Sequence, residues 1–159
     1  MKLYVKNKVI TLGGSTKVLN ENNEEVYSVK GKIFTFVRKK IIYNKDGEKL
    51  YVVKNKFFHG PIKYSAYIKD AKGNTICKVK EKTGVGYTIT GDNVDMYIDG
   101  KFFSMKNYIM EGETAIACIK YDLSIIADSF EVDVPNEANA DFVVAIVIAI
   151  DNLRDKSSD

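Results

Sequence analysis

Nine consecutive apolar residues, Phe142 to Ile150 (FVVAIVIAI), lie between Asp141 and Asp151 in a sequence that elsewhere meets a charged or polar side chain every few positions. Whatever backbone it adopts, such a run offers water no polar face, so the fold has to enclose it. A membrane span needs about 20 predominantly apolar residues, and the flanking aspartates close this run at under half that length. Six of the nine are β-branched, which favours a strand, yet the alternation of a half-buried strand is missing. Upstream, Pro135-Asn136-Glu137 reads as a helix start. Asn136 would be the N-cap, and Glu137 would place its carboxylate at the positive end of the helix dipole. The reading is a helix from about Glu137 to Leu153 enclosed by strands, with a strand buried on both faces as the alternative.

What would do the enclosing is visible in an internal repeat. Val18 to Lys32 (VLNENNEEVYSVKGK), Ile41 to Lys56 (IIYNKDGEKLYVVKNK) and Ala66 to Lys82 (AYIKDAKGNTICKVKEK) each run from an apolar start through an Asn/Asp/Gly-rich turn to a Val-Lys-x-Lys ending. The anchoring valines Val29, Val53 and Val79 stand 24 and 26 residues apart. Each unit has the chemistry of a β-hairpin, because Asp46-Gly47 and Lys72-Gly73-Asn74 supply residues that tolerate positive φ, between arms rich in Val, Ile and Tyr. Strand alternation puts Val53 and Asn55 on one face and Lys54 and Lys56 on the other. Further on, Tyr97 to Phe102 reads as another hairpin, and Thr114 to Ile119, Leu123 to Ala127 and Phe130 to Val134 read as strands. About ten or more short strands with no long helical periodicity before residue 136 imply an antiparallel barrel or sandwich.

Composition narrows the class. A chain of 159 residues, 45% hydrophobic and with no Pro/Ser/Gly-rich linker, suits one domain, expected over 1–155 with a disordered tail at 156–159. Lys plus Arg (24) exceeds Asp plus Glu (21) by three, an excess spread along the chain and too mild to point by itself to nucleic acid or lipid. The first residues, MKLYVKNKVITLGG, contain no apolar stretch of signal-peptide length. Cys77 and Cys118 each sit in an apolar-rich segment and read as small buried hydrophobes in a reducing compartment. A cytoplasmic monomer without a transmembrane span is expected.

The paired short strands with their repeated turn and Val-Lys units, followed by Asp128-Ser-Phe130-Glu-Val132-Asp-Val134-Pro135 and a hydrophobic segment closing on Ile150-Asp151, resemble the plant LURP-one-related proteins and their bacterial relatives. That family is similar to the tubby C-terminal domain and to the phospholipid scramblases. The resemblance covers nearly the whole chain and implies a mainly β fold: a closed antiparallel barrel of about twelve strands around one buried hydrophobic C-terminal helix. Relatives with this fold carry different functions, so the fold alone assigns none. From the tubby side, the resemblance implies a basic outer surface for phosphoinositides. From the scramblase side, it implies a calcium segment matching Ile126 to Glu137, with Asp128 and Glu137 at ligand positions. Ile126 stands where an acidic first ligand is expected, and Glu131 where the loop wants Gly. The favoured reading therefore has no metal, with Asp128, Glu131 and Asp133 facing solvent while Phe130, Val132 and Val134 point inward.

The densest positive run is Arg38, Lys39 and Lys40, which Lys54, Lys56 and Lys63 would join if neighbouring strands bring them together. Such a cluster would pair with phosphate oxygens of an anionic headgroup. The competing reading is that lysines on exposed strands discourage edge-to-edge aggregation. Nucleic acid fits less well, because the aromatics alternate along strands as core residues do and form no stacking platform. Catalysis finds no constellation: His59 stands beside a turn without a sequence-evident partner, no Cys-x-x-Cys occurs, and Gly84-Val85-Gly86 lacks the rest of a phosphate-binding loop and reads as a strand bend or bulge. The expectation is a non-enzymatic cytoplasmic binding or scaffold module with no cofactor and an unidentified protein partner. The alternative is a peripheral protein at the inner membrane surface that binds anionic lipid. An interior-ligand carrier is a third reading, disfavoured because Phe142, Val143, Ile146, Val147 and Ile150 would fill the barrel.

Overall fold

A computed structural model describes residues 1–7, 15–32, 39–56, 65–82, 86–99, 106–122 and 129–154. The described residues form twelve strands: β1 (Lys2–Asn7), β2 (Thr16–Leu19), β3 (Glu25–Lys32), β4 (Lys39–Asn44), β5 (Lys49–Lys56), β6 (Ser65–Asp70), β7 (Thr75–Lys82), β8 (Gly86–Gly91), β9 (Val94–Asp99), β10 (Lys106–Glu111), β11 (Thr114–Asp122) and β12 (Ser129–Asp133). Each pairs antiparallel with its neighbours in sequence, and β1 pairs with β12 from Lys2 opposite Asp133 to Lys6 opposite Ser129, closing the sheet into a barrel. A 3-10 turn, Glu137–Asn139, then leads into α1 (Ala140–Arg154). The side chain of Asn136 accepts from the Ala138 N–H at 3.1 Å, so the N-cap read from sequence is the one used.

The repeat is a repeat of turn chemistry. Asn20, Asn44 and Asp70 occupy equivalent places, each accepting on its side-chain oxygen the N–H of the residue four positions on: Glu24 at 2.9 Å, Glu48 at 2.8 Å and Asn74 at 2.8 Å. Three residues after each, Asn23, Gly47 and Gly73 take positive φ (63°, 80° and 96°) and donate back to the carbonyl of that same Asn or Asp. In these three hairpins the strand leaving the turn is bulged, so Val26, Leu50 and Ile76 have no residue opposite them on the preceding strand. Ile116, after the turn at Gly112, repeats the arrangement. All four bulged residues are apolar and packed against the core. At the shorter β8–β9 turn, Gly91 lies against the carbonyl of Ile76, where any side chain would collide with the bulged backbone.

Through the middle runs α1. Val143 to Ile150 are fully buried, and burying each Val or Ile side chain is worth about 1.5–3 kcal/mol. The strand alternative is thereby replaced, because a helix spreads its apolar groups around its full circumference and a closed barrel offers a lining on every side. That lining includes Leu3, Val5, Val18, Val29, Ile42, Val53, Ile68, Val79, Ile89, Ile98, Ile109, Ile119, Phe130 and Val132. At about 1.5 Å per residue the 15-residue helix spans about 22 Å, the height of the strands around it. Among the described residues no helix is long and apolar enough to cross a membrane. The strand expected at Leu123 to Ala127, the hairpin residues Gly100 to Phe102 and the tail expected at 156–159 lie outside the described residues.

Candidate functional site

The two ends of the barrel are built differently. At the first end sit the hairpin turns, and α1 enters there: the Tyr27 hydroxyl donates to Asp141 Oδ1 at 2.6 Å, and the Tyr51 ring lies 6.1 Å from that of Phe142. Burial, then the hydrogen bond to Asp141, pushes the Tyr27 hydroxyl well above its ordinary value. Burial also raises the Cys77 thiol to about 12. At the second end, where α1 leaves, lie all the buried polar and charged residues among those described: Thr16, Asn55, Ser65, Asn107, Ser129, Asp151 and Asn152. Each strand residue in that set is the first or second from the end of its strand.

Lys40 joins this second end and leaves the outer cluster expected of it. It lies opposite Val53, on the register of the buried Ile42, and its Nζ meets Asp151 Oδ2 at 2.9 Å, with the two side chains only 13% and 4% exposed. Beside it Asn55 Nδ2 donates to the Asn152 carbonyl at 3.1 Å, and Asn152 Nδ2 donates to Asn55 Oδ1 at 3.3 Å. A lysine at a helix C-terminus also faces the negative end of the dipole. Sequence alternation placed Asn55 on the same face as Val53, but nothing in the chain announced that Asp151 and Asn152 would be buried beside it. Among the described residues none donates a hydrogen bond to Asn152 Oδ1.

Lys39 and Lys54 go the other way. They stand directly opposite each other on the outer face of β4 and β5, where two like charges repel. Arg38 and Lys63 lie outside the described residues, and Lys56 is in register with Ser65. Beyond the bulges, the outward register of β3 to β7 also holds Lys30, Lys78, Lys80 and Lys82 and no carboxylate among the described residues, while on the turn side of the bulges it holds Lys69 and Glu25, the latter paired with Lys17 at 2.6 Å. Glu81 falls on the inward register at the end of β7. Two of these lysines lie over tyrosine rings, Lys30 Nζ 5.2 Å from the centroid of Tyr43 and Lys78 Nζ 5.7 Å from that of Tyr67. On the opposite side, Lys120 is neutralised by Glu131 at 2.8 Å, and that hydrogen bond raises the pKa of the lysine. The wall is the Val-Lys-x-Lys motif folded: the valine goes in and the lysine after it goes out. That motif marks Lys30, Lys80 and Lys82, none of which lies in the densest run of positive charge.

The segment compared with a calcium loop divides similarly. Phe130, Val132 and Val134 are buried, Glu131 is held by Lys120, and Glu137 opens the exposed 3-10 turn. Asp128, His59, Gly84 and Val85 lie outside the described residues, while Gly86 opens β8 at φ 123°. No group of three or more His, Cys, Asp or Glu among the described residues is placed to hold a metal.

A model of the LURP-one-related family matches residues 1–151, the barrel and nearly all of α1. The chain belongs to that family. Its fold is similar to that of an Arabidopsis thaliana protein, AT5G01750, solved by X-ray diffraction, with a TM-score of 0.65 at 13% identity over 96% of this chain and 91% of that one. At that identity the likeness is one of fold. No curated protein matches the chain. The family match and the likeness of fold agree with the closed barrel and its C-terminal helix.

Proposed function

We propose that the protein is a non-enzymatic binding module of the cytoplasm whose outer β3–β7 wall engages an anionic membrane surface. The observation that supports this is the wall itself: six outward lysines on β3, β4, β5 and β7, with no carboxylate among the described outward positions beyond the bulges. Discouraging sheet-edge aggregation does not account for it, because a closed barrel has no sheet edge to protect. A lysine near an anionic bilayer contributes about 1 kcal/mol, so five or six acting together give reversible, salt-sensitive attachment. A binding role also agrees with the protonated state of Cys77, whose burial keeps it from acting as a thiolate.

Co-sedimentation with liposomes tests the reading. The protein is expected to pellet with vesicles containing about 30 mol % phosphatidylserine, to stay in solution with neutral vesicles, and to be released by about 0.5 M salt. Replacing Lys39, Lys54 and Lys78 together by Ala should lower the affinity more than about tenfold. Equal behaviour of wild type and triple variant, pelleted or not, would remove the wall from consideration.

A further inference from the structure

Among the described residues, Val52 alone is an apolar side chain that is buried, only 4% exposed, yet stands apart from the barrel core. Its neighbour Val53 points inward, so strand alternation sends Val52 to the outer face of β5. Ile41 lies directly opposite it on β4, with Tyr43 at the next outward position, and Tyr67 on β6 lies opposite Lys54, the outward residue after Val52. Ile41, Tyr43 and Tyr67 are half-buried. Together the four make an outer apolar island on β4 to β6, about 10 Å across at the usual strand spacing. Lysines border it in register: Lys30 opposite Ile41, Lys49 opposite Tyr43, Lys69 opposite Val52, Lys78 opposite Tyr67, and Lys39 facing Lys54. The described carboxylates of β3 to β7 and their turns stand elsewhere. Glu25, Asp46, Glu48 and Asp70 lie toward the hairpin turns, where Glu25 pairs with Lys17 and the side chains of Asn44 and Asn74 donate to Glu48 and Asp70, and Glu81 falls on the inward register of β7.

Resting on the membrane reading above, we propose that this island enters the bilayer interface: Tyr43 and Tyr67 seat their rings at headgroup level beside Ile41 and Val52, while the bordering lysines meet the lipid phosphates around them. Tyrosine suits that depth, because its ring is apolar and its hydroxyl stays wet. The occupant follows from the pattern of charge. An apolar centre bordered by ammonium groups complements anionic headgroups above an apolar interior, and the outside of a closed barrel is convex enough to meet a plane. In the free protein Lys30 Nζ lies over the Tyr43 ring and Lys78 Nζ over the Tyr67 ring, 5.2 and 5.7 Å from their centroids. Each ammonium that turns to a phosphate uncovers the ring it shielded, so charge pairing and ring insertion occur together. Attachment therefore has a part that salt screens, from the lysines, and a part that it does not, from the island.

Two measurements decide it. The chain contains no Trp, so Tyr67→Trp on the island and Tyr108→Trp, at an exposed position on β10, each introduce a single reporter. With phosphatidylserine vesicles the Tyr67→Trp emission shifts to the blue and is quenched by brominated acyl chains, and the Tyr108→Trp emission does neither. Second, Tyr43→Ala with Tyr67→Ala should lower vesicle affinity about tenfold at every salt concentration and keep the wild-type salt dependence, whereas Lys54→Ala with Lys78→Ala should flatten that dependence. Wild-type affinity in the tyrosine variant, or an unchanged Tyr67→Trp spectrum on vesicles that pellet the protein, overturns the inference and leaves the membrane reading standing. A blue shift of Tyr67→Trp with an acidic, leucine-containing peptide and none with vesicles would give the island to a protein partner and refute the bilayer as its occupant. If the wild-type protein does not pellet with acidic vesicles, the membrane reading fails and the inference falls with it.

Discussion

The end of the barrel where α1 enters and the end where it leaves solve the same problem in opposite ways. At the entry end the lid is apolar: bulged Val26, Leu50, Ile76 and Ile116 pack on the core, with Tyr27, Tyr51 and Phe142 around the first turn of the helix. The polar contact there, Tyr27 to Asp141, has an exposed carboxylate that water can take back. At the exit end the contacts are polar and dry, with Lys40, Asp151, Asn55 and Asn152 joined inside the wall. Apolar packing grips a helix but tolerates rotation or a slide, since one Val or Ile replaces another at little cost. A buried ion pair does not, because a shift by one turn, about 5.4 Å, would pull Asp151 away from Lys40. The difference teaches a division of labour: the entry end supplies burial, and the exit end fixes where the helix stops.

This contrast can be broken most directly at Lys40. Lys40→Met alone is expected to cost about 3–5 kcal/mol in denaturant unfolding, because the buried Asp151 loses its ion-pair partner. Lys40→Met with Asp151→Leu should return to within about 1 kcal/mol of wild type, since an apolar pair of similar volume replaces the ion pair. A double variant as unstable as the single one would show that the pair contributes stability itself and does more than set register. A smaller effect is expected at the entry end, where Gly91→Ala drives a methyl group into the Ile76 carbonyl and should cost about 1–3 kcal/mol. Wild-type stability in that variant would mean that the bulges yield easily and that the lid is softer than the core beneath it.

The gentlest probe is alkaline pH, which at the entry end titrates Cys77 and Tyr27. The folded state holds the Cys77 thiol at about 12 against 9.0 for the unfolded chain, and the Tyr27 hydroxyl is likewise raised above 10.0. For such groups the unfolded chain releases protons that the folded one keeps, so stability is complete below pH 9 and declines as pH rises from there toward 12. Melting temperatures measured between pH 8 and 11 should fall, and Cys77→Ala should remove the first part of the decline, between 9 and 10. If that variant kept the same slope, Cys77 would not be the group responsible.

Much of the architecture was legible in the chain because it rests on local chemistry. A turn at Asn44 to Glu48 needs only its own residues, so its repetition near positions 20 and 70 announced three hairpins before any pairing was known. The Asn136 cap was equally local. The candidate sites were less visible. Lys39 and Lys40 are adjacent in sequence and read as one positive run, but adjacent strand residues face opposite ways, and closing the barrel sends one to the surface and the other to Asp151, 111 residues distant in sequence. The lysine wall was written in the Val-Lys-x-Lys endings, yet it became a surface only when β3 to β7 lay side by side.

By itself the sequence determined the hairpins, their turns, the position of the helix and the need to surround it, because turn geometry, side-chain alternation and hydrophobicity act over a few residues. The tertiary structure decided which charges are buried, which are gathered on one wall, and which end of the barrel is polar. Those outcomes depend on strand register and on closure of β1 against β12, and Coulomb interactions follow distance in space, to which distance along the chain is no guide.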